Sequence, residues 1–374
     1  MKVRAITVRP PAPGVAVEEV PSPRAGPGEV RVSVLECGVC GTDHDIADGK
    51  YGSAPSGSSY LILGHENLGE VVETGPEVSG FAAGDLVVAT VRRGCGRCRF
   101  CLSNRSDFCE TGGFTERGIG GAHGFMAEEC VDVPDYLVRV GPALRPVAVL
   151  LEPLSVVEKA IFQGQRVLDR KEPSPGQPRT ATPRALVAGT GAIGMLAAFV
   201  LRVRGFEVVA VDRHDDRTPA AALLARLGAT HENVAAGLDA LSRTDFDLVI
   251  EATGSVALDL RLTDVLGPNG VLVLTGIPDA AAPPSTVAAG SLFREVVLGN
   301  RAIVGSVNAN RTYFEAGLRD LTVFEERWPG AAASIVSARR PLEEIGAILA
   351  DRAGGSMKTV VTVRSGGALG AARR

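Results

Sequence analysis

With 374 residues the chain is long enough for two separately cored domains. Hydrophobic residues make up 45% and charged residues 22%, an ordinary balance for a globular protein, and a formal net charge of −4 gives no sign of a surface built to capture nucleic acid or anionic lipid. The opening MKVRAITVRP lacks an apolar run with a small-residue cleavage site, and no stretch reaches the roughly 18 apolar residues of a membrane helix, so a cytoplasmic protein without a membrane partner is expected.

Up to about residue 140, short alternating segments separated by glycine and proline predict strands over 2–8, 29–35, 68–74 and 85–89, hence a β-rich domain. Within it, Cys95, Cys98, Cys101 and Cys109 fall in one run of fifteen residues. A secreted disulfide scaffold would be short and cysteine-dense throughout, which this chain is not. Four clustered thiolates close the shell of a tetrahedral zinc ion and leave no place for substrate, so this run predicts a structural zinc site.

A second set is scattered: Cys40 in C-G-V-C-G-T-D-H-D, His65 and Glu66 in L-G-H-E-N, and Glu152 in L-L-E-P-L-S. One thiolate, one imidazole and carboxylates make a ligand set with an open position, which catalytic zinc requires, and Glu66 could ligate directly or steady the ion. Cys37 and Cys40 also read as C-x-x-C, the pattern of a redox pair, which ranks below the metal reading. Cys130 stands apart.

Residues 154–162, opened by Pro153, predict a helix, and 169–183 is rich in proline, glycine and charge, as a linker would be. Beyond it strands at 184–188, 207–211, 246–251 and 270–274 alternate with helices at 192–204 and 219–227, the pattern of a parallel sheet covered on both faces. Between the first such strand and helix lies G189-T-G191-A192-I193-G194, with Asp212 eighteen residues past Gly194 at the next strand end. Gly189 permits a tight turn, Gly191 the approach of a pyrophosphate, Gly194 close helix packing, and the helix start supplies N–H groups to phosphate. Asp212 would accept from the adenosine ribose and repel a 2′-phosphate, favouring NAD; Arg213 beside it could pair with that phosphate, which keeps NADP possible. A helix follows from 311, a strand near 359–363, and a flexible SGGALGAARR tail.

These residues resemble the zinc-containing medium-chain dehydrogenase/reductases along nearly the whole chain, through C40-G-T-D, G64-H-E, the four-cysteine lobe and the glycine loop. Within that family, R92-R-G-C, E116-R-G-I, H123-G-F-M-A-E, E152-P-L-S-V-V-E-K and G305-S-V-N308-A-N are similar to the archaeal-type glucose dehydrogenases, and E-P-L-S-V also to sorbitol dehydrogenases. The resemblance implies an α/β protein with a GroES-like β-rich catalytic domain (1–168, completed by 311–374) and a Rossmann doubly wound domain (184–310), with the active site in the cleft. It implies two zinc ions per chain, a catalytic one at Cys40, His65, Glu66 and Glu152, with Thr42 passing on the substrate proton. Ala192, Ile193, Thr253, Ile277 and Asn308 join the glycines as cofactor contacts, and Glu116 and Asn308 are expected to bind the substrate. A polyhydroxylated or ketone substrate and a homo-oligomer are expected.

Three positions depart from the pattern. A relay histidine would fall at Asp45, with His44 one place early. Val91 stands where some glucose dehydrogenases carry Asn, and Leu298-Gly299 near where they carry His. A site built for a hydroxyl discriminates strongly, so these changes point toward a modified or less hydroxylated substrate than glucose. A plain glucose 1-dehydrogenase stays open as the alternative, and two further rivals remain: a zinc-free quinone or enone reductase on the same fold, separable by metal content, and a nucleotide-binding protein without turnover.

Overall fold

The computed structural model describes residues 1–171, 182–214, 218–241, 245–279, 286–351 and 356–364. They form two units, Met1–Glu152 with Ala309–Leu318 and Val336–Arg374, and Pro153–Asn308 with Arg319–Ile335.

The spine of the first unit is strand Val30–Val39. Register shifts between Arg31 and Val32 and between Val34 and Glu36 break the simple in-out alternation, so that Val34, Leu35 and Cys37 are all buried. The sheet around it runs Leu137–Val140, Leu86–Ala89, Glu66–Thr74, Val30–Val39, Lys358–Thr362 and Val336–Pro341, with Glu129–Asp132 also paired to the spine. Lys358–Thr362 thus returns from late in the chain to lie antiparallel to Val30–Val39. Two three-stranded sheets complete the unit, Ala12–Pro21 with Lys2–Arg9 and Leu61–Ile62, and Arg92–Arg93 with Thr115–Arg117 and Gly121–Ala122. Ile6, Ile46, Leu61, Phe125 and Met126 have no exposed surface in its core, each stabilising by about 1.5–3 kcal/mol.

The second unit holds six parallel strands in the order Thr230–Asn233, Glu207–Asp212, Arg184–Ala188, Phe246–Glu251, Leu266–Leu274 and Ala302–Gly305. This is the Rossmann order, with the first strand central, so the winding reverses beside the end of Arg184–Ala188, where open α/β sheets bind ligands. Helix Ala192–Val203 is apolar nearly all round and buried from Gly194 to Leu201. Helix Pro219–Leu227 starts on the Thr218 cap with Pro219 at its first position and stops at left-handed Gly228. Among the described residues no helix is long and apolar enough to cross a membrane.

The α/β class and the strand–helix alternation agree with the sequence-based expectation. The helix expected at 154–162 runs from Leu151 to Leu168, so Pro153 sits inside its first turn, where a missing N–H costs nothing. Strands Ala12–Pro21 and Val336–Pro341 carry prolines that obscured them; both are edge strands, where proline is tolerated. Residues 172–181 of the expected linker and the tail 365–374 lie outside the described residues.

Candidate active site

Cys40 follows the spine strand and caps helix Gly41–Ala47. Its N–H donates to Asp43 Oδ2 at 3.0 Å and its Sγ accepts from the Thr42 N–H at 3.3 Å. Across the strand pair, Gly64 turns the chain at φ 92°, where a Cβ would lie 2.5 Å from Met126 Cγ and 2.7 Å from Cys37 Sγ. That turn delivers His65, whose Nε2 is 3.0 Å from Cys40 Sγ, and Glu66; donor atoms of Cys40, His65 and Glu66 all lie within 4.8 Å of one another. Glu152 is outside this set, yet its buried carboxyl feels His65 and Glu66.

The surroundings are strongly polarised. His65 Nδ1 is 3.6 Å from Asp43 Oδ1, whose side chain is fully buried. Lys358 Nζ, also buried, donates to Glu66 Oε1 at 2.6 Å and to the Val39 carbonyl at 3.1 Å. Glu66 Oε2 is buried without a hydrogen-bond partner, in space that exists because position 38 is glycine: a Cβ there would be 2.0 Å from that oxygen. Burial pushes Glu152 up to about 7, with Glu66 adding to the rise against the pull of His65. Burial works against a protonated His65, but Cys40, Asp43 and Glu152 outweigh it and hold its pKa well above the usual imidazole range. A field that draws a proton so firmly onto a buried imidazole suits a divalent cation equally, and the donor set suits zinc.

Cys37 does not join this group. It is fully buried, and burial, then Asp43 and Glu66, push its thiol well up, which removes the thiolate a redox pair needs. His44 Nδ1 lies 3.1 Å from the Leu349 carbonyl and Asp45 is 3.5 Å from Lys50 Nζ. Val91 is buried.

Sulfurs of Cys95, Cys98, Cys101 and Cys109 gather within 4.8 Å. Cys95 Sγ and Cys101 Sγ are 3.8 Å apart, matching the roughly 3.8 Å edge of a zinc–thiolate tetrahedron with bonds of about 2.3 Å. Cys98 caps the short helix Arg99–Leu102, and a hydrogen bond from Thr111 is the main cause pulling Cys95 down to about 5. Beside the lobe, Glu116 is paired with Arg92 at 3.0 Å.

In the second unit Gly189 has φ 102°, and a Cβ would meet Thr253 Cγ2 at 2.9 Å; one on Gly194 would lie 1.9 Å from the Gly189 carbonyl. Gly191, which caps the helix holding Ala192 and Ile193, has nothing within 4 Å of its missing Cβ. Packing therefore demands the outer two glycines, while the middle one leaves open space at the helix start. The Asp212 carboxylate accepts from Thr190 Oγ1, from the His214 N–H at 2.7 Å, and faces His231 Nε2 at 3.1 Å. Although burial opposes it, these bonds hold Asp212 below the usual carboxylate range. Arg213 beside it is exposed. Buried Glu251 accepts from Thr253 Oγ1 at 2.6 Å, Gly254 N–H at 2.9 Å and Gly276 N–H at 3.1 Å, organising the loops that carry Thr253 and Ile277. Asn308 follows the last strand in the left-handed region, φ 59°.

Asp43, Lys358, Gly38, Arg92, Thr190 and His231 were not singled out for these roles from the sequence. Asp43 alone had a local signal, three residues after the capping Cys40.

Residues 26–142 match the alcohol dehydrogenase GroES-like domain and residues 145–363 the glucose dehydrogenase C-terminus. A glucose 1-dehydrogenase of Methanocella arvoryzae is 42% identical over 353 residues, 92% of this chain and 95% of that one. One of Thermoproteus tenax is 41% identical, over 91% and 94%. The solved glucose dehydrogenase of Haloferax mediterranei, in complex with NADP, zinc and gluconolactone, superposes with a TM-score of 0.85 at 31% identity, covering 97% of this chain and 99% of that one. The chain belongs to the zinc-containing medium-chain alcohol dehydrogenase family. It is an NAD(P)-linked oxidoreductase of the alcohol and sugar dehydrogenase class.

Proposed function

We propose that the chain moves hydride between a secondary alcohol of a sugar, cyclitol or similar polyhydroxylated molecule and a nicotinamide cofactor, NAD in preference to NADP. The observation that carries this is the convergence of Cys40, His65 and Glu66 in one buried, negatively polarised site. Cys40 and His65 would hold a catalytic zinc ion with Glu66 and Glu152 as carboxylate partners, and the four clustered cysteines a second, structural ion. Zinc bound at the first site supplies the Lewis acidity that lowers the pKa of a substrate hydroxyl to near neutrality.

The chain's own groups do the rest. Asp43 faces the far nitrogen of His65 and orients its ring; Lys358 restrains Glu66. The Thr42 hydroxyl carries the substrate proton away. Gly191 and the free N–H groups after it receive the pyrophosphate, and Asp212 the ribose hydroxyls. Glu116 and Asn308 accept from substrate hydroxyls. The working form is a homo-oligomer.

Glucose itself is the second reading, favoured by the names of the relatives above. Both are tested by following reduced nicotinamide with D-glucose, its deoxy and amino analogues, myo-inositol and a nucleoside, each with NAD and NADP. Turnover of polyhydroxylated compounds with the higher kcat/KM for NAD is expected, and Asp212→Gly should shift preference toward NADP. A kcat/KM for glucose above all its analogues decides for the second reading. No turnover from a chain carrying two zinc ions sinks both.

A further inference from the structure

Arg92 lies on the two-residue strand that leads into Cys95, and its side chain is only 10% exposed. Its Nε and Nη2 donate to Glu116 Oε1 at 3.1 and 3.0 Å, its Nη1 donates to the Asp107 carbonyl at 3.2 Å, and its guanidinium carbon sits 3.9 Å from the centroid of the Phe114 ring. Asp107 belongs to the turn Ser106–Phe108 immediately before Cys109, and its Oδ1 accepts from Asn310 Nδ2 at 2.8 Å. One guanidinium therefore ties together the entry to the four-cysteine lobe, its exit and the carboxylate of Glu116.

We propose that Arg92 is a positioning residue through which the folded lobe sets the orientation of Glu116 toward substrate. The lobe then governs substrate affinity while taking no part in hydride transfer. The physical basis is the planar fork: Arg92 addresses a carboxylate and a carbonyl at fixed angles, with its plane against an aromatic face, which a lysine's single ammonium cannot reproduce. The proposal rests on the reading of Glu116 as a substrate group.

The test compares Arg92→Ala, Arg92→Lys and Glu116→Gln in the full chain, with D-glucose and myo-inositol as probes and with zinc content and melting temperature measured alongside. Losing a hydrogen bond to a charged group costs about tenfold or more in affinity, so Glu116→Gln and Arg92→Ala should each raise KM by about tenfold. The effect of Arg92→Ala falls on KM far more than on kcat, zinc content stays at the parent value, and Arg92→Lys restores only part of the affinity. A parental KM in Arg92→Ala beside a raised KM in Glu116→Gln overturns the positioning role. So does a loss confined to zinc content and folding. A parental KM in Glu116→Gln overturns instead the assignment of Glu116, and no turnover of either probe by the parent overturns the substrate class. Should Arg92→Ala not fold, Asn310→Ala loosens the Asp107 anchor with Arg92 in place; a smaller rise in KM is expected, and an unchanged KM counts against the proposal.

Discussion

The two sulfur-bearing centres of the first unit are built in opposite ways. The four cysteines come from one short run, and three of the four are partly exposed. Around Cys40, by contrast, His65 and Glu66 arrive at the turn into and the start of a neighbouring strand, Glu152 from much later in the chain, and Lys358 from 292 residues beyond Glu66, nearly all of them buried. The first centre can organise its own loop; the second exists only after the sheet has formed around it. Damage to the first should therefore cost folding, and damage to the second should cost chemistry, except where it leaves a buried charge alone.

Cys40→Ala gives the largest expected effect. Turnover should fall by about a thousandfold or more, because the ligand set is broken, while the melting temperature moves by less than about 3 °C, roughly 2 kcal/mol in a protein of this size. Unimpaired activity would remove the distinction between the centres. Lys358→Met comes next, leaving Glu66 in the core with its charge uncompensated. Denaturant unfolding should show a loss of about 3–5 kcal/mol, much of it recovered by adding Glu66→Gln. A loss that Glu66→Gln does not relieve would mean that Lys358 acts by packing.

Cys98→Ala should remove about one zinc ion per chain and lower the melting temperature by about 5 °C or more. Parental zinc content and melting temperature would mean that the four cysteines hold no structural ion. The smallest effect is a control in the second unit. Burial, then Asp320, pushes Glu158 up to about 8 against the pull of Arg204. An unfolded glutamate titrates near pH 4.3, so the stability linked to this proton is complete below about pH 4 and is lost as the pH rises through about 8. Glu158→Gln should narrow the fall in melting temperature between pH 5 and pH 8 by about 3 °C, as calorimetry at the two pH values would show. An unchanged slope would assign that pH dependence to other groups.

The comparison also explains which features the sequence displays. Close spacing displays the four cysteines, and a glycine loop between strand and helix displays the cofactor side, because both are local. The α/β class follows from periodicities that survive without tertiary knowledge. Cys40, His65, Glu66 and Glu152 are visible as scattered ligand types whose donor chemistry suggests one open site, a grouping the resemblance then strengthens. Lys358 carries no signal of its own: a lysine opening the strand K-T-V-V-T looks solvent-facing until that strand is paired with Val30–Val39. Gly38 is similar, since its lack of a side chain matters only opposite Glu66. Arg92 shows in the sequence as part of the R-R-G-C segment that carries the resemblance, with no role attached; its fork acquires meaning from Asp107 and Glu116.

The late arrival of Lys358 has a consequence for how the protein is made. Glu66 leaves the ribosome 292 residues ahead of its counter-charge, with the whole nucleotide-binding unit translated in between. At about 5–20 residues per second that gap lasts roughly 15–60 s. During it the strand pair Val30–Val39 and Glu66–Thr74 can form, but closing over an unpaired carboxylate is unfavourable, so the edge awaiting Lys358–Thr362 stays open to water. The nascent first unit is thus held short of its native core until the second has been synthesised.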